Sequence, residues 1–350
     1  MTGTSCDGLD LALLELDGQG MDLLPRFIKG QQFSLGQLGP RLRNLAEGQA
    51  CTMEELCRLN HDFTSFHVEC VRKANLGTVN LIVPHGQTLY HSPPHSLQLI
   101  NLSLLSGKLN TPVMGDLRAM DLAKGGQGAP ITPLADHFLY GCQGKKQVIV
   151  NLGGFCNLTF LPSDGSLSHI RGFDICSTNL LLDLLSRNIL NRPYDEGGEG
   201  AKKGKEIPSL RKFLEEQLLQ QQQLGSSLGQ SHLPSLNWFN DFPFTPDLLT
   251  TACLAIGTVI GQTIKSLKAD ELLVAGGGAH NSVLMSAINQ SSGLTPKSCD
   301  DQGPPSEYRE AASMALLGAL CIDKVPITLK AVTGANESFI SGSYVDSKIP

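Results

Sequence analysis

Lys145 to Leu167 read KKQVIVNLGGFCNLTFLPSDGSL. An apolar run through Val148, Ile149 and Val150 stops at Gly153-Gly154, and a second through Leu158 to Leu161 stops at Ser163-Asp164-Gly165. Short runs of β-branched and aromatic residues bounded by glycine and polar clusters predict strands, so this block is strand, turn, strand, turn. The chain opens on the same plan. In MTGTSCDGLDLALLELDG, residues 1–18, a polar turn from Gly3 to Gly8 leads into the apolar run Leu9 to Leu16. No repeat unit is identical between the two blocks. Glycine permits positive φ, and successive N–H groups in such a turn can converge on an anion. The opening turn also has a plainer reading, a frayed terminus before a first strand.

Working outward, DLLPRFIKGQQFSL (22–35) predicts another strand. Residues 35–76 turn helical, with Leu38, Leu42, Leu45, Leu56, Leu59, Phe63 and Phe66 at spacings of three and four. VNLIVPHGQT (79–88) predicts an apolar strand stopped by Pro84. Residues 96–117 predict a helix and a short strand into Gly115-Asp116, and 124–140 a glycine loop running into a helix. After the second block, 172–190 predict a loop and a helix from Thr178. The low-complexity stretch EEQLLQQQQLGSSLGQSHLPS (215–235) reads as a helix end and a solvent loop. A helix over 246–267, strand–loop–helix over 271–288 and a buried helix over 306–320 complete the pattern. Strands alternate with helices, so the fold class is α/β.

A chain of 350 residues suffices for two domains, and 41% hydrophobic with 17% charged residues excludes disorder. A formal net charge of -6 and the lack of an arginine-rich stretch argue against a nucleic-acid partner. The cysteines form no Cys-x-x-Cys pair, and Cys142, Cys253 and Cys321 sit in apolar company. That suits reduced, buried thiols rather than a disulfide framework or a zinc site. Pro93 and Pro94 separate His91 from His95, which speaks against a metal site with His85. No apolar run of about 20 residues and no leader pattern is read, so no membrane partner and a cytoplasmic location are expected.

Four turns offer small and polar residues: GTSCDG (3–8), NLGGFCN (151–157), FDICSTN (173–179) and AGGGAHN (275–281). Singly, each is more often a tight bend than a phosphate cradle. The sequence has neither a Gly-x-x-x-x-Gly-Lys P-loop nor a Gly-x-Gly-x-x-Gly fingerprint. Jointly, two strand–turn–strand anion sites and a late strand–glycine–helix turn point to a nucleotide held between two similar domains.

In this order the turns resemble the phosphate and adenosine segments of the actin, Hsp70 and sugar-kinase superfamily. Within it, the chain most resembles the anhydro-N-acetylmuramic acid kinases. The family's GTSxDGxD is similar to Gly3 to Asp10, its HGQTxxHxP to His85 to Pro93, and its GDFRxxDxAxGGQGAPLxP to Gly115 to Pro133. Its NIGGxxN resembles Asn151 to Asn157, its GGGxxNxxLM Gly276 to Met285, and its VTGA Val332 to Ala335. The resemblance covers almost the whole chain. It implies a two-domain actin-like α/β kinase with a ribonuclease-H-like core in each half and an interdomain ATP cleft. The expected domains are 1–132 and 133–330, with 331–350 returning to the first.

The resemblance further implies ATP and Mg2+ as cofactors, an amino-sugar substrate, and a homodimer. Gly3, Thr4, Ser5, Cys6, Asp7, Gly8, Leu9 and Asp10 would meet the ATP phosphates from one domain, and Asn151, Gly153, Gly154 and Asn157 from the other. Gly276, Gly277, Gly278 and Asn281 would admit adenine and ribose without a Cβ in the way. Asp7 and Asp10 suit a hydrated Mg2+, while Asp10 equally suits a turn cap. The implied activity is unusual: water opens a 1,6-anhydro sugar while the freed O6 takes the γ-phosphoryl group. Asp174 is similar to the family's base in FDTGPGN; from the residues alone it also reads as an N-cap before the Thr178 helix. Arg118, Asp121, Gly126, Gln127, Gly128 and Glu310 would hold the sugar, with His85, Gln87 and Thr88 orienting that loop.

Three departures matter. Ile175-Cys176-Ser177-Thr178-Asn179 stands where the family has Thr-Gly-Pro-Gly-Asn, and LPSLNWFND (233–241) lacks the basic residues of the family's KSTGREYFN. The superfamily also precedes its GTS with a buried strand, of which only Met1-Thr2 remain here. That implies an open edge beside Leu9–Leu16. The expected role is recycling of cell-wall peptidoglycan; the rival is a nucleotide-binding protein of the same fold whose catalysis has decayed.

Overall fold

The computed structural model describes residues 1–3, 6–223, 228 and 234–347. They divide into two compact units, Met1–Leu139 with Gly303–Pro350, and Tyr140–Gln302.

In the first unit β1 (Gly8–Asp17) and β2 (Leu24–Ser34) pair antiparallel, from Gly8 opposite Ser34 to Asp17 opposite Leu24. The helical pattern that follows is two helices, α1 (Leu38–Ala46) and α2 (Met53–Ala74). They are separated where Gly48 takes φ +94 and Thr52 closes a capping box with Glu55. β3 (Gln87–Ser92) and β4 (His95–Leu99) form a hairpin that the sequence reading lacks, with Pro93-Pro94 as its turn. α3 (Leu102–Leu109), β5 (Val113–Gly115), α4 (Ala119–Ala123) and α5 (Pro133–Tyr140) follow. The run 79–83 is not the full strand its sequence predicts. Ile82 alone bridges, parallel to Val113, donating to the Pro112 carbonyl and accepting from Met114 N–H. Its other edge faces a cavity, so no second ladder holds it extended.

The second unit is built on β6 (Gln147–Leu152), β7 (Phe155–Leu161) and β8 (Arg171–Ser177). α6 (Asn179–Ile189), α7 (Pro208–Gln223) and α8 (Pro246–Ser266) precede β9 (Glu271–Ala275), α9 (Ser282–Ser292) and β10 (Lys297–Ser298). The sheet order is β10-β9-β6-β7-β8, with β6 antiparallel to β7 and parallel to β9. The predicted loop at 173–177 is the end of β8, with Cys156 opposite Cys176 and Asn157 opposite Asp174. Ile175, Cys176 and Ser177 are all buried, which erases the alternation that marks a half-exposed strand. α8 corrects another expectation, because it is long and apolar enough to cross a bilayer. It packs on α7, α9 and β8 and is buried along most of its length, so its apolarity is that of a core helix.

The chain then returns with α10 (Arg309–Ile322), α11 (Lys330–Thr333) and β11 (Ser343–Val345), the last antiparallel to β5. α10 packs on β1, and its buried Arg309 grips Asp136 of α5 through both carboxylate oxygens at 2.6 Å. The return therefore begins at Gly303 rather than at the expected 331.

Candidate active site

In the first unit the opening turn is tied at both ends. The Met1 amine donates to the Asp10 carbonyl at 2.7 Å, and Asp10 N–H returns a bond to the Met1 carbonyl at 2.8 Å. Cys6, at φ +50, donates its N–H to the Gly3 carbonyl at 3.3 Å. Gln87 Nε2 reaches the same carbonyl at 3.4 Å. Thr4 and Ser5 lie outside the described residues. The Leu9 side chain is buried in the core, so its task is packing rather than ligand contact; Asp7 is exposed. Burial pushes the half-buried Asp10 carboxyl up, with Glu310 and Asp7 adding to this, against the Met1 amine and a Gln32 hydrogen bond.

Arg118 is held at all three guanidinium nitrogens by neutral partners. Its Nε and Nη2 point at Nε2 of His85 at 3.1 and 3.0 Å, and Nη1 donates to the Gly128 carbonyl at 2.5 Å. His85 Nδ1 faces the Gly86 carbonyl at 2.9 Å, so Nδ1 carries the proton and Nε2 accepts. Burial, reinforced by Arg118, lowers His85 to about 3, so it is neutral at physiological pH. Burial also lowers Arg118, to about 10, against the pull of Glu310 and Asp121, and it stays charged.

Asp121 has a task other than sugar contact. It is fully buried, and its Oδ2 accepts Gly128 N–H at 2.7 Å while Oδ1 accepts the Thr333 hydroxyl at 2.7 Å. Gly126 lies so close to this carboxylate that a Cβ would overlap it, and Gln127 N–H donates to the Thr333 carbonyl at 2.8 Å. The 126–128 loop is thus pinned by Asp121 and Thr333, a function the sequence reading did not assign to Thr333. Thr88 Oγ1 accepts from Gln98 at 3.4 Å, and Glu310 is half-buried in the first turn of α10.

In the second unit the carbonyls of Gly153 and Gly154 face the start of α6. Asn179 N–H and the Thr178 hydroxyl donate to Gly153 O at 3.1 and 2.6 Å; Thr178 N–H and Leu180 N–H donate to Gly154 O at 2.9 and 3.2 Å. Planar peptides then aim the N–H groups of Gly154 and Phe155 away from α6. Asn179 Nδ2 also holds the Leu152 carbonyl at 3.1 Å. Thr178 and Asn179 are therefore turn-holding residues that the sequence reading left unassigned, although they stand in the quoted FDICSTN stretch.

Gly276, at φ +85, is required by the fold, since a Cβ would lie 2.8 Å from Asn151 Oδ1 and from the Leu152 carbonyl. Gly278 is similarly closed off by Leu152, whereas Gly277 has space. Asn281 is buried and caps α9, accepting from Val283 and Leu284 N–H at 3.1 Å, so it serves the fold rather than a ribose. Asp174 stands inside β8 opposite Asn157, and its Oδ2 accepts Leu228 N–H at 2.6 Å. The N-cap reading of Asp174 fails, because the cap position of α6 is Thr178.

Paired strands closed by a glycine turn, a second glycine turn at a strand–helix junction, and a carboxylate on the neighbouring strand make up the candidate site of the second α/β unit. The sequence pattern of the family described as anhydro-N-acetylmuramic acid kinase matches residues 1–347, and the chain belongs to that family. Anhydro-N-acetylmuramic acid kinase from Crocosphaera subtropica is 31% identical over 371 residues, covering 98% of this chain and 96% of that one. The Salinibacter ruber enzyme of the same name is 30% identical over 379 residues, covering 98% and 94%. Among solved structures, the ROK hexokinase from Thermus thermophilus aligns at TM-score 0.35 and 11% identity over 88% of this chain and 98% of its own.

Proposed function

We propose that the chain uses ATP to convert 1,6-anhydro-N-acetylmuramic acid to N-acetylmuramic acid 6-phosphate. The family match over residues 1–347 carries this reading. Water attacks C1 of the sugar and gives its proton to the Asp174 carboxylate, while the C1–O6 bond breaks and O6 takes the γ-phosphoryl group. ADP leaves, the water oxygen remains on C1, and Asp174 returns its proton to solvent. Phosphoryl transfer asks the protein mainly for positioning and charge neutralisation. The outward N–H groups of Gly154 and Phe155 supply donors for phosphate. Arg118, fixed by His85 and Gly128, supplies the cation for the anionic sugar, with Glu310 beside it.

Among the described residues no three His, Cys, Asp or Glu side chains converge on a cation position. Mg2+ on a nucleotide needs only one or two carboxylates, the rest being water and phosphate. Asp10 fits, because a divalent cation would relieve the desolvation that pushes its carboxyl up; Asp7 adds a second acceptor through water. Bound there, Mg2+ would neutralise phosphate charge. By the same reading the chain works in the cytoplasm as a homodimer, in recycling of peptidoglycan.

Turnover in oxygen-18 water tests the chemistry. Solvent label should appear at C1 of the sugar and not in the 6-phosphate; unlabelled C1 contradicts the mechanism. The rival reading is a decayed nucleotide-binding protein of the same fold. ATP binding without sugar-dependent ADP release would select it.

A further inference from the structure

We propose that Arg309 and Asp136, a buried ion pair, are positioning residues for the sugar: they set where the Glu310 carboxylate stands relative to Arg118. The proposal rests on the reading of Arg118 and Glu310 as sugar-holding groups. α10 carries two charged residues, Arg309 and Glu310, at its first two positions. Neighbours on a helix point about 100° apart, so the two side chains leave it in different directions. Arg309 is buried and forks onto the fully buried Asp136. Its Nε donates to Oδ1 at 3.0 Å, and its Nη2 lies 2.6 Å from each oxygen. Glu310 is half-buried and makes no hydrogen bond or ion pair among the described residues. Its direction is therefore set by the rotation of α10, and Arg309 fixes that rotation.

The pair ties together the two parts of the candidate sugar site. Asp136 lies on α5, which follows the 126–128 loop, and the Gly128 carbonyl of that loop accepts from Arg118 Nη1 at 2.5 Å. One buried contact thus joins the helix that presents the carboxylate to the segment that holds the guanidinium. The two charges sense each other: burial lowers Arg118, and Glu310 leads the groups that oppose this. A second contact seats the same end of α10. The Tyr308 ring lies on Gly30 of β2, where a Cβ would overlap it, and stacks on Phe27 with centroids 5.8 Å apart.

Stability alone does not account for the pair. Taking two charges out of water costs about as much as their attraction returns, and apolar partners of similar volume often serve a fold as well. What the fork adds is direction, because parallel bonds fix the guanidinium plane where an apolar contact slides. Held at one spacing, Arg118 meets a sugar carboxylate while Glu310 accepts from a hydroxyl or amide N–H of the same molecule.

The test replaces the pair in the full chain by apolar residues, Arg309→Met with Asp136→Leu, and compares thermal melts, steady-state kinetics and a crystal structure with the wild type. The expected result is a folded protein with unchanged ATP KM and a sugar KM raised at least tenfold, its Glu310 carboxylate displaced from Arg118. In a Glu310→Gln background the same two substitutions should raise sugar KM no further, because the pair acts through that carboxylate. Should the double variant fail to fold, Arg309→Lys keeps the buried charges balanced and loses only the fork, and its sugar KM should rise while ATP KM does not. A folded variant with wild-type sugar KM overturns the proposal, as does a KM penalty that adds in full to that of Glu310→Gln. If the wild type releases no ADP with the sugar, the proposed function fails instead, and the crystal comparison decides. A Glu310 carboxylate that keeps its place beside Arg118 then overturns the positioning role.

Discussion

The Thr333 hydroxyl donates to Asp121 Oδ1 at 2.7 Å across 212 residues of sequence. The other oxygen of that carboxylate holds Gly128 N–H, so one buried group joins the VTGA segment to the 126–128 loop. Thr333→Val keeps the shape but leaves a buried carboxylate oxygen one donor short, a cost of about 1–3 kcal/mol. The expected outcome is a lower melting temperature and a sugar KM raised about tenfold, with ATP KM unchanged. Steady-state kinetics and a thermal melt check it; an unchanged sugar KM contradicts the loop-pinning role.

Arg118→Lys should weaken sugar binding more than stability. A lysine is a point charge and cannot fork to His85 while also donating to Gly128 O. Hydrogen bonds to charged groups are worth about 1.5–3 kcal/mol, which corresponds to roughly 10–100-fold in sugar KM. Wild-type sugar KM in this variant means that Arg118 serves only the fold.

Asp174→Asn keeps size and strand pairing but cannot take the water's proton. Loss of a general base costs about 10²–10⁴-fold in rate. Nucleotide affinity by calorimetry should stay within twofold. A variant that keeps most of its kcat removes Asp174 from the mechanism.

The two glycine turns should respond differently to a methyl group. A Cβ on Gly153 meets nothing closer than Phe155 O at 3.4 Å and Asn151 Nδ2 at 3.5 Å. Gly153→Ala should therefore leave the melting temperature unchanged while weakening ATP by crowding the phosphate. Gly276→Ala combines positive φ with backbone overlap and should lower the melting temperature itself. Calorimetry beside thermal melts separates the two; a destabilised Gly153→Ala with normal ATP affinity reverses the assignment.

Stability should fall in mild acid through His67. Burial, with the Met1 amine adding, lowers this imidazole to about 4, although its Nδ1 bonds the Phe63 carbonyl at 2.8 Å. The unfolded chain, titrating near ~6.5, binds the proton first, so stability is complete above that pH and declines as pH falls towards 4. The single-group loss is roughly 3 kcal/mol by the bottom of that window. Urea melts of the wild type and of His67→Gln should diverge in slope between these limits, and parallel curves would show that other groups carry the acid response.

How much of this was legible follows from where each signal lies. β6 and β7 are readable because their apolar runs are cut by Gly153-Gly154 and Ser163-Asp164-Gly165. The end of β8 reads as a loop because its last three residues are all buried and show no alternation. The run 79–83 reads as a strand but lacks the neighbour that makes one, since a ladder is a property of two chains of residues. The β3–β4 hairpin is hidden because Pro93-Pro94 reads as a break rather than a turn. Glycine turns were visible as candidate ligand sites, yet Asp121 and Asn281, polar residues in the same motifs, are consumed by the backbone. Their partners, Thr333 and the α9 N–H groups, are fixed by tertiary packing that spacing does not reveal.

Coupled ADP release with 1,6-anhydro-N-acetylmuramic acid as acceptor, with the sugar product identified by mass, tests the central claim most directly. The account predicts sugar-dependent ADP formation equal to the 6-phosphate formed, and its loss in Asp174→Asn. A chain that binds ATP but releases no ADP when the sugar is added would contradict it.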